Sequence, residues 1–279
     1  MLLIRPLLVL LTALFAVIPT PVPAASGRFV VLEPTVKSKA MRAQAREMHE
    51  SGTLQELARG LNAIFVLPRD IGMRFAECGE ANAFYDPSNH EIWMCLELID
   101  GMAETLEGQF EDEESTTNAL AGAFVAVVLH EAGHALVDAL EIPITGREED
   151  AVDQLSAGML IEAEDVDSVR GAAATYYVDD DVDDEDFADE HSLNKQRYFN
   201  LVCWAYGSDP DNQQDLIESW ELPQARADRC VDEYALLDRS WTNLLKGHLR
   251  EEGDASTVST ESVPRRPTTF GDAIRGEDD

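Results

Sequence analysis

Residues 127–136, Val-Val-Leu-His-Glu-Ala-Gly-His-Ala-Leu, decide how the rest of the chain is read. On a helix, positions i and i+4 share a face, so His130 and His134 present their imidazoles side by side with Glu131 next to them. The residues before them, Val125 to Leu129, are all apolar, which predicts a buried helix over residues 118–140, capped near Ser115 and Thr116. Two imidazoles and a carboxylate buried there without a ligand would cost about 1–3 kcal/mol for each unpaired group. A divalent ion removes that cost. Zinc takes neutral imidazole nitrogen in tetrahedral geometry and keeps a position for water, from which an adjacent carboxylate can take a proton. His130 and His134 are therefore candidate Zn2+ ligands, and Glu131 is the candidate base.

Catalytic zinc sites usually have three protein ligands, and the next segment offers the third. Residues 146–154, Gly-Arg-Glu-Glu-Asp-Ala-Val-Asp-Gln, follow a short loop carrying Pro143 and Gly146, a connection that lets two helices pack against each other. Glu149 and Asp153 share a helical face, with Glu148 as the alternative to Glu149.

His-Glu-x-x-His followed by Glu-x-x-x-Asp resembles the gluzincin arrangement of thermolysin-like peptidases. The resemblance implies that Glu149 ligates zinc and that Asp153 hydrogen-bonds His130, fixing its orientation. It also implies a zincin-like fold in which an edge strand runs along the cleft above the histidine helix, a role for residues 82–85, Asn-Ala-Phe-Tyr. An oxyanion donor is needed as well, and His191, Arg226, Tyr176 and Tyr177 are the available types. Residues 78–98, 146–154, 190–193, 206–210 and 226–234, taken with the histidine helix, are similar to a family of exported bacterial proteins described as metallopeptidases without a stated substrate. The metzincin pattern is excluded, because its glycine and third histidine just after His134 are absent.

Around the site the patterning predicts an α+β fold. Residues 38–64 have helical spacing broken at Ser51-Gly52-Thr53, and residues 71–76, 81–85 and 91–96 look like short strands of a small antiparallel sheet. Helices are predicted at 148–161, 192–206, 211–220 and 224–246, giving a mostly helical C-terminal half. The acidic run 179–190 lacks the spaced ligands and glycine turn of a calcium loop and reads as a solvated loop. His49, His90 and His248 read as surface residues.

Residues 1–24 carry one positive charge at Arg5, an apolar run over 7–18 and then three prolines, the layout of a cleavable signal peptide. The run is short for a bilayer span of about 20 residues, and no later segment reads as a spanning helix. The expected organisation is a signal peptide at 1–24, a metallopeptidase domain at 28–250 and a disordered tail at 251–279. Four cysteines in an exported chain favour disulfides, and their placement favours two local bridges, Cys78 with Cys95 and Cys203 with Cys230. A net charge of −33 argues against nucleic acid and anionic membrane surfaces as partners. The expectation is a periplasmic or extracellular zinc peptidase acting on a peptide or protein substrate. The alternatives are a non-catalytic zinc-binding periplasmic protein and a metal-dependent amidohydrolase on a non-peptide amide.

Overall fold

The computed structural model describes residues 27–178 and 182–250, so the expected signal peptide and tail lie outside the described residues. The chain runs through β1 (Phe29–Val31), α1 (Met41–Glu50), α2 (Thr53–Ile64), β2 (Ile71–Ala76), β3 (Ala83–Asp86) and β4 (Glu91–Cys95). Gly52 separates the first two helices at φ +81°, a left-handed conformation that suits glycine. The strands form one sheet in the order β1-β2-β4-β3.

This sheet is mixed, which corrects the antiparallel expectation: β1 pairs with β2 and β2 with β4 in parallel, and only the β3–β4 hairpin is antiparallel. The two-helix crossover returns the chain to the end of the sheet where β1 began, so β2 runs alongside it. The hairpin then seats β4 between β2 and β3 and leaves β3 at the edge. Strand β1, at three residues, is too short to show alternation in the sequence.

Helix α3 (Leu96–Leu106) follows β4 without a break, so the strand expected through residue 96 ends one residue early and a helix not anticipated begins. Next comes α4 (Glu113–Ala139), whose N-cap is Asp112 and not Ser115 or Thr116. The Asp112 side chain accepts from the Ser115 backbone N–H at 2.7 Å. The remaining helices are α5 (Glu148–Glu162), α6 (Val166–Thr175), α7 (Asp184–Ala188), α8 (Asn194–Ser208), α9 (Asp215–Glu218) and α10 (Gln224–Leu245). Part of the acidic run read as loop is thus helical, with Asp183 capping α7. Helix α9 is much shorter than the segment predicted over 211–220.

The core sits where α4 meets everything else. Ile71, Met73, Phe75, Ile92 and Met94 of the sheet are fully buried, as are Val125, Val128, Ala132 and Leu136 of α4. Helix α6, which the sequence reading missed, packs closely on α4 because Gly122 of α4 faces Ser168 and Gly171 of α6 faces Ala119. A Cβ at Gly171 would lie 2.5 Å from the Ala119 carbonyl oxygen, and one at Gly122 would lie 2.6 Å from Ser168 Cα. By length and hydropathy α4 does qualify as a membrane-crossing helix, contrary to the expectation, but 78% of its apolar window is buried inside the protein. Both expected disulfides are formed, Cys78–Cys95 at the end of the sheet and Cys203–Cys230 between α8 and α10. They fit an oxidising, exported environment.

Candidate metal centre

Helix α4 holds His130 and Glu131 at 7% and 6% exposure, so neither is solvated by default. Helix α5 reaches them because position 133 has no side chain: a Cβ on Gly133 would lie 2.9 Å from Val152 Cβ. Val152 seats against α4 there, and its neighbours on α5 point at the histidines. His130 Nε2 lies 3.0 Å from Glu149 Oε2, and His134 Nε2 lies 3.2 Å from Glu149 Oε1. A third ring arrives from the segment before α8, with His191 Nε2 3.1 Å from Glu149 Oε2. That segment is pinned to the start of α5, where Arg147 Nη1 donates to the His191 carbonyl at 2.9 Å and Ser192 Oγ donates to Asp150 at 2.6 Å.

The other nitrogen of each ring also faces a carboxylate. His130 Nδ1 is 2.8 Å from Asp153, His134 Nδ1 is 2.8 Å from Glu148, and His191 Nδ1 is 3.0 Å from Asp189. An ionised carboxylate only accepts, so protons alone would satisfy these contacts only with every ring doubly protonated. Three imidazolium cations would then crowd one carboxylate. Burial opposes the charged form of His134, but the bonds from Glu149 and Glu148 prevail and push it up to about 9. His130 is likewise raised despite its burial, through Asp153 and Glu149. Burial would raise Glu149, yet the three rings hold it far below the usual carboxylate range.

A divalent cation suits the same atoms better. Each ring would keep one N–H, on Nδ1, for its carboxylate partner and turn the Nε2 lone pair to the ion. The Nε2-to-oxygen separations of 3.0–3.2 Å are near the ligand-to-ligand edge of about 3.3 Å that a tetrahedron with bonds of 2.0–2.1 Å requires. The donor atoms of His130, Glu149 and His191 all lie within 4.8 Å of one another; His134 is not in that group, although its Nε2 lies 3.2 Å from Glu149 Oε1.

Behind His130 the support is ionic. Asp153 accepts from Arg197 Nε and Nη2, each at 2.8 Å. Burial would raise Asp153, but Arg197 and His130 hold it at about 2. The Arg197 guanidinium in turn lies over the Tyr176 ring, 4.1 Å from its centroid. Arg197 is the residue the sequence reading missed, and no spacing relation ties it to the motifs on α4 and α5.

A cleft of about 620 Å³ opens beside these groups, lined among others by Ala83, Val127, His130, Glu131, Tyr176 and His191. Its wall includes the edge strand. The Asn82 carbonyl accepts from the Cys95 N–H at 3.2 Å, which sets the antiparallel alternation, so Ala83 and Tyr85 turn their backbone groups away from β4. Burial raises the pKa of the Glu131 carboxylate, against the pull of the two neighbouring imidazoles. Of the four oxyanion candidates, His191 and Tyr176 line this cleft. Arg226 is paired with Glu233 and Asn200, and the Tyr177 hydroxyl donates to Glu221, both elsewhere. His90, expected at the surface, is half-buried against Tyr85 and Arg69.

The chain belongs to the family described as "Putative metallopeptidase", whose profile matches residues 34–245. That match spans the whole of the site above. No curated protein and no solved structure matches the chain.

Proposed function

We propose that the protein is a zinc-dependent peptidase in which His130, His134 and Glu149 hold the ion and Glu131 is the general base. The observation that carries this reading is that both α4 rings aim Nε2 at Glu149 while each Nδ1 is committed to another carboxylate. When bound, the ion supplies Lewis acidity, acidifying a water and polarising the scissile carbonyl. Strand β3 receives an extended peptide through the outward backbone groups of Ala83 and Tyr85, the Ala83 N–H leaving the Asn82 side chain to which it donates in the free protein. Glu131 takes a proton from the attacking water and returns it to the leaving amine, and its raised pKa brings it toward the range where a base works best near neutrality.

His191, doubly protonated with its Nδ1–H held by Asp189 and its Nε2–H free to turn from Glu149, is the group assigned to the developing oxyanion. Glu148 serves His134 through its Nδ1, and Asp153 serves His130 in the same way. In this reading residues 28–250 form the peptidase domain, exported by the leader at 1–24.

Purified protein would be assayed for bound zinc and for cleavage of a quenched fluorescent peptide library, with and without chelator. Glu131→Gln should retain zinc and lose turnover by at least about a hundredfold. His134→Ala and Glu149→Ala should lose zinc, whereas His191→Ala and Glu148→Ala should keep most of it. Zinc lost with His191→Ala but kept with His134→Ala would move the ligand to the other ring. Tight zinc with no cleavage in the wild type would leave a binding protein and not a peptidase.

A further inference from the structure

The His191 ring nitrogen Nδ1 and the His191 backbone N–H both contact Asp189 Oδ1, at 3.0 and 2.7 Å. Asp189 is two residues away and travels with the same segment, so these contacts orient the imidazole within the segment and cannot set its distance from Glu149. The other nitrogen, Nε2, lies 3.1 Å from Glu149 Oε2, but it is also the atom that turns to the oxyanion, so that contact is given up during the reaction. The placement of His191 beside the ion-holding carboxylate has to come from elsewhere.

It comes from α5. Arg147, the N-cap of that helix, donates to the His191 carbonyl at 2.9 Å. Asp150, in the first turn, accepts from Ser192 Oγ at 2.6 Å, and Asp153, its i+3 neighbour on the helix surface, accepts from Arg197 of α8. Residues 191, 192 and 197 are thus taken up in order along α5, and Glu149 belongs to the same first turn. The contacts differ in weight. The Arg147 bond is exposed and water competes for it, and the Arg197 bond serves Asp153 behind His130. The Ser192–Asp150 bond is half-buried, has an ionised acceptor, and adjoins His191 directly.

We propose that Asp150 is a positioning residue for the cleavage reaction: through its clasp on Ser192 it fixes His191 at a set distance from Glu149. The group that meets the oxyanion and a ligand of the ion are then both anchored to one turn of α5, and they keep their spacing when the His191 ring turns away from Glu149. The proposal rests on the peptidase reading above, with His191 acting at the oxyanion.

Asp150 does not line the cleft, so Asp150→Ala breaks the clasp and leaves the cleft wall in place. In the zinc-loaded full chain, kcat against the quenched peptide library should fall about tenfold, with KM within about twofold and zinc content unchanged. Ser192→Ala should match it. Asp150→Asn and Ser192→Thr, which keep an acceptor oxygen and a hydroxyl, should restore most of the rate. Because the clasp acts through His191, adding Asp150→Ala to His191→Ala should cost nothing further. NMR amide exchange reads the same bond without activity: the Leu193 N–H, which donates to Gln196 Oε1 at 3.2 Å in the same segment, should exchange about fivefold faster in Asp150→Ala, with the α4 amides unchanged. An unaltered kcat, or a loss that adds fully to that of His191→Ala, would overturn the proposal. Should the wild type cleave no peptide, the peptidase reading fails on its own account, and exchange at Leu193 decides the clasp: unaltered exchange overturns it, faster exchange upholds it.

Discussion

Asp153 shows what a single side chain must do here. It is buried, accepts from His130 Nδ1 and takes two nitrogens of Arg197. Asp153→Asn keeps the shape but leaves the Arg197 guanidinium buried without its counter-charge. We expect a loss of about 3–5 kcal/mol in urea unfolding, together with a 10- to 100-fold weaker zinc affinity in a chelator competition. The pH dependence has a definite sign. Because the folded Asp153 pKa is depressed from 3.8 to about 2, its contribution is fully present above pH 4 and is lost as the pH falls toward 2. Urea midpoints measured from pH 5 to 2 should drop more steeply in the wild type than in Asp153→Asn, and parallel curves would show that the pair adds nothing. At this scale His130, Glu131 and His134 are legible because one helical turn relates them. Arg197 is not, and His191 stood only as one of four oxyanion candidates, since the relation of both to the site exists only after α8 has packed.

Between elements, the deciding residue is Gly133. Helix propensity alone favours alanine there by about 1 kcal/mol. Packing reverses that preference, because the added Cβ would meet Val152 Cβ at 2.9 Å and Val152 is a fully buried core residue. Gly133→Ala is therefore expected to destabilise the fold by about 1–3 kcal/mol. It should also weaken zinc binding, since α5 carries Glu149 and Asp153 on either side of the contact. Denaturant midpoints and zinc competition would check both effects, and an alanine variant with wild-type affinity would show that the helix spacing is not limiting. Similar close approaches at Gly122 and Gly171 seat α6, a ten-residue helix that the sequence reading did not anticipate. The direction of the strands was equally illegible, because alternation of residues says which face is buried and nothing about which neighbour a strand pairs with.

Across the whole molecule, metal and fold should be linked. In the proposed site the ligands come from α4 and α5, so an ion that binds only the folded state would hold those two helices together. Zinc at about a hundred times its Kd should add about 2.7 kcal/mol to stability and raise the melting temperature, and excess chelator should reverse the gain. Glu131→Gln should retain the full shift and Glu149→Ala should lose it. A melting temperature indifferent to zinc in the wild type would argue that the three rings are held by protons alone. With a net charge of −33, the chain also repels itself, and a cation held beside Glu149 would relieve part of that repulsion.

What the order of residues determined alone is what depends on neighbours along the chain: the buried helix, the two imidazoles on one face with a carboxylate beside them, and the second acidic pair one short loop later. These follow from the 3.6-residue period and from the cost of burying polar groups unpaired. Only the tertiary structure decided that β3 is the edge strand, that Arg197 backs Asp153, that His191 and not Arg226 reaches the cleft, and that the Tyr85 hydroxyl reaches Asp138. Those contacts join residues distant in sequence, and which of them form is set by how closely the helices and sheet can approach, a matter of shape at positions such as Gly133 that no periodic pattern records.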